Sequence, residues 1–565
     1  MERETGLEPA TSSLGSWHST TELLPLERIA LIVTNKPRRS LSRAAANRQI
    51  QTVERKRCYS RKRAVSFMAG LSNSRWGHAR GPGLLTAMFP RPRTPGPNGA
   101  LAAALPNPAL AAPGDATTMG IVFLCLYLFS LFGRLPEITQ VLVGTSFYQT
   151  AILGTLACLA VVISGGVQRA LAARLGALLL ILHIWFLVIA PFSQWRSGTF
   201  YACLFLLRYF PIAILIGGLV MTRGHFRTVI LTLAASVVMD MAWIVLRAKT
   251  DSGRLEIEHG RFSNSNEIAI YLLIGLPFLL FIVLNRRFNA ISRTAAAAAM
   301  IASLFVVVRT GSRGGLITIA VLFMLIWLAA PVMKKIALLL GMTVLGAILF
   351  ASMSTTLRNR FATIGDDRVR DTTGAVNSTD TREALLRQSI KVTLEHPLTG
   401  VGIGVYAAAA ADMSREEGTH AIWQVTHNAY TQVSAEAGIP AFVLYVSILF
   451  LCLKESYRIR KLGRLRPQFQ ELSLMGGCVF LSVVSFCMSG CFTSDAFDFY
   501  FYTLVGLAIG LSNVSRRELQ LAPSAAPRVH LTPAPVPVGA ATAPLPPSPR
   551  FQLRRDRRRR GNATL

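Results

Sequence analysis

Residues 294–330 read TAAAAAMIASLFVVVRTGSRGGLITIAVLFMLIWLAA, two apolar runs joined by a short hinge that carries Arg309 and Arg313. Each run approaches the roughly 20 residues a helix needs to cross a hydrocarbon core, and no charge interrupts either. A backbone in lipid must satisfy its own N–H and C=O groups, so the pair reads as a helical hairpin across a membrane. Two guanidiniums at its turn need anions, and that need decides where a site should be sought.

The same reading extends in both directions. Candidate spans fall at about 119–133, 147–164, 175–191, 201–221, 226–246, 267–284, 294–309, 314–330, 336–353, 439–453, 472–491 and 498–512. The expected fold is therefore an all-α integral membrane protein with about 12 transmembrane helices. Composition agrees: 52% of residues are hydrophobic and 16% are charged, where a soluble domain carries about 25% charged residues.

A net charge of +30 suggests nucleic acid until its location is considered. Residues 1–118 hold seventeen Lys and Arg against seven Asp and Glu, and residues 513–565 hold ten against two. Both ends are Pro- or Ala-rich without period, so both are expected to be unstructured basic tails, with no nucleic-acid partner. Met119 directly precedes IVFLCLYLFSLF, so it is expected to be the native start, and an intact-mass measurement on the native protein tests this. Seven of the eight cysteines lie in or beside apolar runs, with no CxxC pattern.

With the first span starting inside, the inner connections hold fifteen basic residues and the outer ones eight, the long loop aside. Spans 1–9 then occupy 119–353, an outward loop 354–436, spans 10–12 437–512, and both tails are cytoplasmic. In that loop, Asp380 is expected to cap a helix through TREALLRQSIKVTLEH. Leu386, Ile390 and Leu394 form its apolar stripe and Pro397 ends it. The GxGxG of GVGIGVY follows no strand and is not a dinucleotide loop. Next, THNAYTQVSAEAGIP reads as a helix re-entering the membrane, with Asn428, Gln432 and Glu436 on one polar stripe and His427 beside it. Such a stripe either lines a site or is a solvated helix end. At the hinge, Gly311, Gly314 and Gly315 would let backbone N–H groups share an anion with Arg313, while Arg309 either joins them or snorkels to headgroups. Arg208 inside the fourth span either meets substrate or pairs with Asp240, and Arg261 adds outward charge. Glu395 and His396 are further acceptor-binding candidates. The acidic pairs Asp366/Asp367 and Glu416/Glu417 lack ligand spacing, so neither a metal nor a cofactor is expected.

GSRGG between two spans, then EHPLTGVGIGVY in a long outer loop, then HNAYTQVSAEAGIPAF, with PFSQWRSGTF and GRFSNSNEIA upstream, resembles the O-antigen ligase and polymerase superfamily of bacterial envelope enzymes. The resemblance implies a GT-C-like, metal-independent glycosyltransferase of the bacterial inner membrane, its large, partly helical loop periplasmic between spans 9 and 10. The implied donor is an undecaprenyl-pyrophosphate-linked glycan. The implied acceptor is lipid A core in the ligases, or another lipid-linked repeat in the polymerases. Matched to the family's motifs, His427 is the loop histidine and Arg313 the SR arginine, the two catalytic candidates, while Arg261 is a looser match. A polysaccharide transporter or flippase is the competing class, and it calls for an inverted repeat that the sequence lacks.

Overall fold

The computed structural model describes residues 114–143, 148–251, 254–257, 264–353, 375–416 and 423–521, with the single residues 355, 358 and 418. The readings of residues 1–113 and 522–565 as tails, and Arg261 and the Asp366/Asp367 pair, lie outside them. The chain is an all-α membrane protein, relieved among the described residues by one two-stranded hairpin, Lys249–Asp251 with Arg254–Glu256.

The helices are α1 Asp115–Phe132, α2 Leu135–Val143, α3 Gln149–Ile163, α4 Gly166–Ala172, α5 Arg174–Ile189, α6 Arg196–Leu207, α7 Phe210–Leu219, α8 Arg223–Arg247, α9 Ser265–Leu284, α10 Ala290–Arg309, α11 Arg313–Ala329, α12 Val332–Ala351, α13 Ala375–Glu395, α14 Tyr406–Glu416, α15 Ala429–Leu465, α16 Gln470–Ser489 and α17 Phe499–Leu521. Each of the twelve expected segments falls on a helix. Nine helical segments among the described residues, one of them α6 and α7 taken together, are long and apolar enough to cross a membrane, ten if α3 and α4, bent by 81°, make one span. The count of twelve is thus not reached on length and apolarity. At 17 residues α11 is short, and α17 continues past the expected end at 512 into Arg516, Arg517 and Glu518.

Starts and breaks have local causes. Thr222, Asn264, Asn289, Ser312 and Asn428 each accept a backbone N–H of the turn they open, as good N-caps do. The expected fourth span is broken at Arg208–Tyr209, because Pro211 cannot donate into a continuing helix. α1 opens at Asp115, four residues before Met119.

Helices α9 and α17 form the centre. α17 is buried along Phe499–Ser512 on every side, as a helix apolar all round should be. Helix α12 has no buried residue. At one end of the bundle the Glu471 carboxylate takes Arg227 at 2.7 and 2.9 Å, Arg287 at 3.5 Å and Asn285 at 3.3 Å, and Arg223 pairs with Glu518. These cations belong to the connections that the charge count assigns to a single side. The other end is capped by α13, α14 and the hairpin.

Candidate functional site

At the capped end, α15 begins with Asn428. Its Oδ1 accepts the N–H of Tyr430 at 3.0 Å and of Thr431 at 3.1 Å, while Nδ2 donates to Cys491 O at 3.4 Å. On the other side of His427, Thr426 Oγ1 meets Ser494 Oγ at 3.0 Å. His427 between them has φ +50°, a left-handed conformation uncommon outside glycine and held only when its surroundings over-determine it. Both neighbours are tied to the connection Gly490–Asp498, and Ala429 N donates to Gly490 O at 2.7 Å. The half-buried imidazole makes no hydrogen bond among the described residues. Its pKa is pushed down to about 4, first by burial and then by the charge of Arg382 on α13. At neutral pH it is an uncharged base.

The arginine hinge reaches the same connection from another direction. Gly311 takes φ +65°, Ser312 Oγ caps Gly315 N at 3.2 Å, and Arg313 is the first residue of α11. A Cβ on Gly314 would come within 2.7 Å of the Phe492 ring, so this glycine lets the connection pack against α11. The glycines therefore also close the hinge, Gly314 by packing and Gly315 by capping. Arg309 and Arg313 are both half-buried at the ends of α10 and α11, and Arg254 of the hairpin donates to Thr310 O at 3.1 Å. Arg313 and His427 thus stand at two helix starts on one shared connection.

The polar stripe makes contacts within the fold. Gln432 Oε1 accepts Ala496 N at 3.3 Å, and the buried Glu436 carboxylate lies beside the backbone N–H groups of Gly404 and Tyr406, with its Oε2 without a hydrogen-bond partner among the described residues. Together with Asn428 the stripe fastens α15 to its surroundings. The kink explains why. Gly438 adopts φ +80° and Pro440 has no N–H, so the carbonyls of Ala435 and Glu436 lose their helical partners. Val401 N and Gly402 N take them, each at 2.9 Å, and the freed Ile439 N donates to Pro397 O at 2.8 Å. GVGIGVY is a strap over a broken helix. Gly400, Gly402 and Gly404 all have positive φ, and a Cβ on Gly402 would collide with Ser193 and Thr199.

Other candidates lie apart. Arg208 is exposed, stacks 3.6 Å over Phe205 and donates to Phe205 O at 3.2 Å. It does not pair with Asp240, which is buried facing Arg134 and Tyr271. Glu395 and His396 sit at the far end of α13 from Arg382, a separation of about 20 Å at 1.5 Å per residue; His396 Nε2 lies 3.3 Å from Gln194 Nε2. Helix α13 begins at Ala375, so Asp380 lies within its first turns rather than capping it. Its buried face is Leu385, Ser389 and Val392, not the expected Leu386, Ile390 and Leu394. Sequence reasoning missed Arg382 and the connection GCFTSDAFD, whose polar TSD between two apolar runs was the available signal.

Residues 298–446 match the O-antigen ligase family model, Wzy_C. Over that stretch the chain is similar to the O-antigen ligase family. The matched stretch runs from the middle of α10, through the arginine hinge and the cap, to just past the kink of α15, so it holds both Arg313 and His427. No curated protein matches the chain. Members of that family join or transfer glycans, and the matched stretch here sits in a multi-pass membrane protein.

Proposed function

We propose that the protein is an O-antigen ligase-like glycosyltransferase of the bacterial inner membrane, its capped end in the periplasm. It moves a glycan from undecaprenyl pyrophosphate to a sugar hydroxyl of lipid A core. The observation that carries the proposal is the pinning of His427 in a left-handed backbone by the connection that also packs on the start of α11, beside Arg313.

The chemistry follows from the charges. The acceptor hydroxyl gives its proton to neutral His427 as its oxygen bonds to the anomeric carbon, and the bond from that carbon to the pyrophosphate oxygen breaks. The leaving pyrophosphate gains negative charge, and guanidiniums aimed at it stabilise the transition state more than the ground state. Arg313 takes this role with Arg309, aided by the helix N-terminus, where partial positive charge gathers. Cations already present in the site make a divalent metal unnecessary.

The alternative is an O-antigen or exopolysaccharide polymerase, which shares the donor and the family. A bacterial host lacking its own ligase decides between them. Restoration of the lipopolysaccharide ladder by wild type, with loss in His427→Ala and Arg313→Ala at equal membrane levels, establishes the ligase and both residues. Absence of a ladder with persistent lipid-linked glycan turns the reading to the polymerase.

A further inference from the structure

Helix α13 has a buried face and an exposed one. The first, through Leu385, Ser389 and Val392, packs on α14 and α15, with Thr393 Oγ1 2.9 Å from Ser434 Oγ. The exposed face changes character along its length. Its first half carries Arg387 paired to Glu383. Its second half carries Ile390, 46% exposed, and Leu394, 71% exposed, and just past the helix Leu398 is 68% exposed. Large apolar side chains left exposed together at one end of a helix mark a surface made for a partner.

The course of the chain points to that partner. Arg382 faces His427 and Thr393 faces Ser434, so α13 runs in the same direction as the first turns of α15. Both descend from the cap toward the bundle. Pro397 and Leu398 then meet α15 at its kink, where Pro397 O accepts Ile439 N and Leu398 O lies against Gly438. Below the kink, α15 shows an exposed apolar stripe of its own, at Ile439, Val443, Val446 and Phe450. On a helix that crosses the membrane, such a stripe faces lipid. The exposed face of α13 therefore continues a lipid-facing surface upward without a break. Exposed Phe192 and Trp195 flank it, brought close by the bond from Gln194 N to Val401 O at 3.0 Å. Aromatic side chains of this kind collect at headgroup level.

We propose that α13 is an interfacial helix whose Ile390, Leu394 and Leu398 lie in the acyl–headgroup boundary of the leaflet on the capped side. A helix whose exposed face is apolar at one end and charged at the other dips its apolar end into such a boundary. Here the C-terminal half dips, since its apolar residues crowd toward Leu398 while the Glu383–Arg387 pair stays in water. The cap is thereby held at a fixed height above the lipid, and His427, at the Arg382 end of the same helix, is held outside it. The inference concerns contact with lipid and stands apart from the transfer reaction.

Photo-crosslinking in native membranes tests it on the full chain. p-Benzoylphenylalanine is placed singly at Ile390, Leu394 and Leu398, with Val443 as the lipid-facing reference and Arg387 as the solvent reference, and adducts are identified by mass spectrometry. Phospholipid adducts at the three positions should match the yield at Val443 and exceed that at Arg387 several-fold. Yields no higher than at Arg387 overturn the proposal. So do adducts to a second copy of the chain or to another protein, which would make the face a protein interface.

Discussion

His427 holds a backbone conformation that costs an L-residue with a Cβ roughly 1–2 kcal/mol. Backbone and side chain can therefore be separated experimentally. His427→Asn and His427→Gly should fold at least as well as wild type, because both residues accept a left-handed turn. Each should lose transfer by about 10²–10⁴-fold, the usual worth of a general base. His427→Val should instead lower the melting temperature in detergent. The proton follows a definite sign. The folded imidazole is held down to about 4, while an unfolded histidine titrates near 6.5. Between those values the unfolded chain binds the extra proton, so this residue's effect on stability is absent above about pH 6.5 and grows unfavourable as pH falls toward 4. Wild type should therefore lose more stability than His427→Asn across that window, as read by thermal unfolding at stepped pH. The sequence singles out His427 and Arg313 as candidates because a titratable ring and a guanidinium at a membrane edge need partners, and the structure sets each at a helix start against the 490–498 connection. The work of Gln432 and Glu436 was not legible there, since an i, i+4 polar stripe looks the same whether it meets a ligand or a neighbouring backbone.

The kink of α15 and its strap behave as one element. Gly438→Ala places a Cβ against Leu398 O in a left-handed conformation, and Gly402→Ala drives one into Ser193 and Thr199. Each should cost more than about 1 kcal/mol, the scale of the left-handed penalty alone, and should make the 397–402 segment readily cleaved by protease. The twelve helical segments were readable because apolar length is a strong signal. The facing of α13 was not: Leu386, Ile390 and Leu394 repeat with helical period, but a period reports that a face exists and not what covers it. Nor was the broken strand of contacts at Gly438 legible beyond its dipeptide neighbourhood, since Val401 and Gly402 arrive from more than thirty positions away.

Across the whole molecule, two ends separate by charge. At the end opposite the cap, Glu471 gathers Arg227, Arg287 and Asn285 from two helix junctions. Glu471→Ala should destabilise the chain by roughly 1–3 kcal/mol, the cost of leaving such partners unsatisfied, as measured by unfolding in detergent. Which side of the membrane each end faces is tested by Cys491, a free and exposed thiol on the connection at the capped end. A membrane-impermeant maleimide should label it in intact spheroplasts, and Cys491→Ser should abolish that label. Labelling only after lysis would reverse the proposed orientation. Length and apolarity alone give fewer spans than the sequence reading, because α11 is short and α17, buried along Phe499–Ser512, carries polar residues where it leaves the core.

The Gly490–Asp498 connection lies beyond the stretch that matches the family, yet it clamps both neighbours of His427 and fits against Gly314. The boundary of inherited sequence and the boundary of the working site are therefore different. A chimera that exchanges residues 298–446 with a relative's would import the histidine and the arginine without the piece that holds them, and specificity swaps in this protein will have to carry the 490–498 connection along.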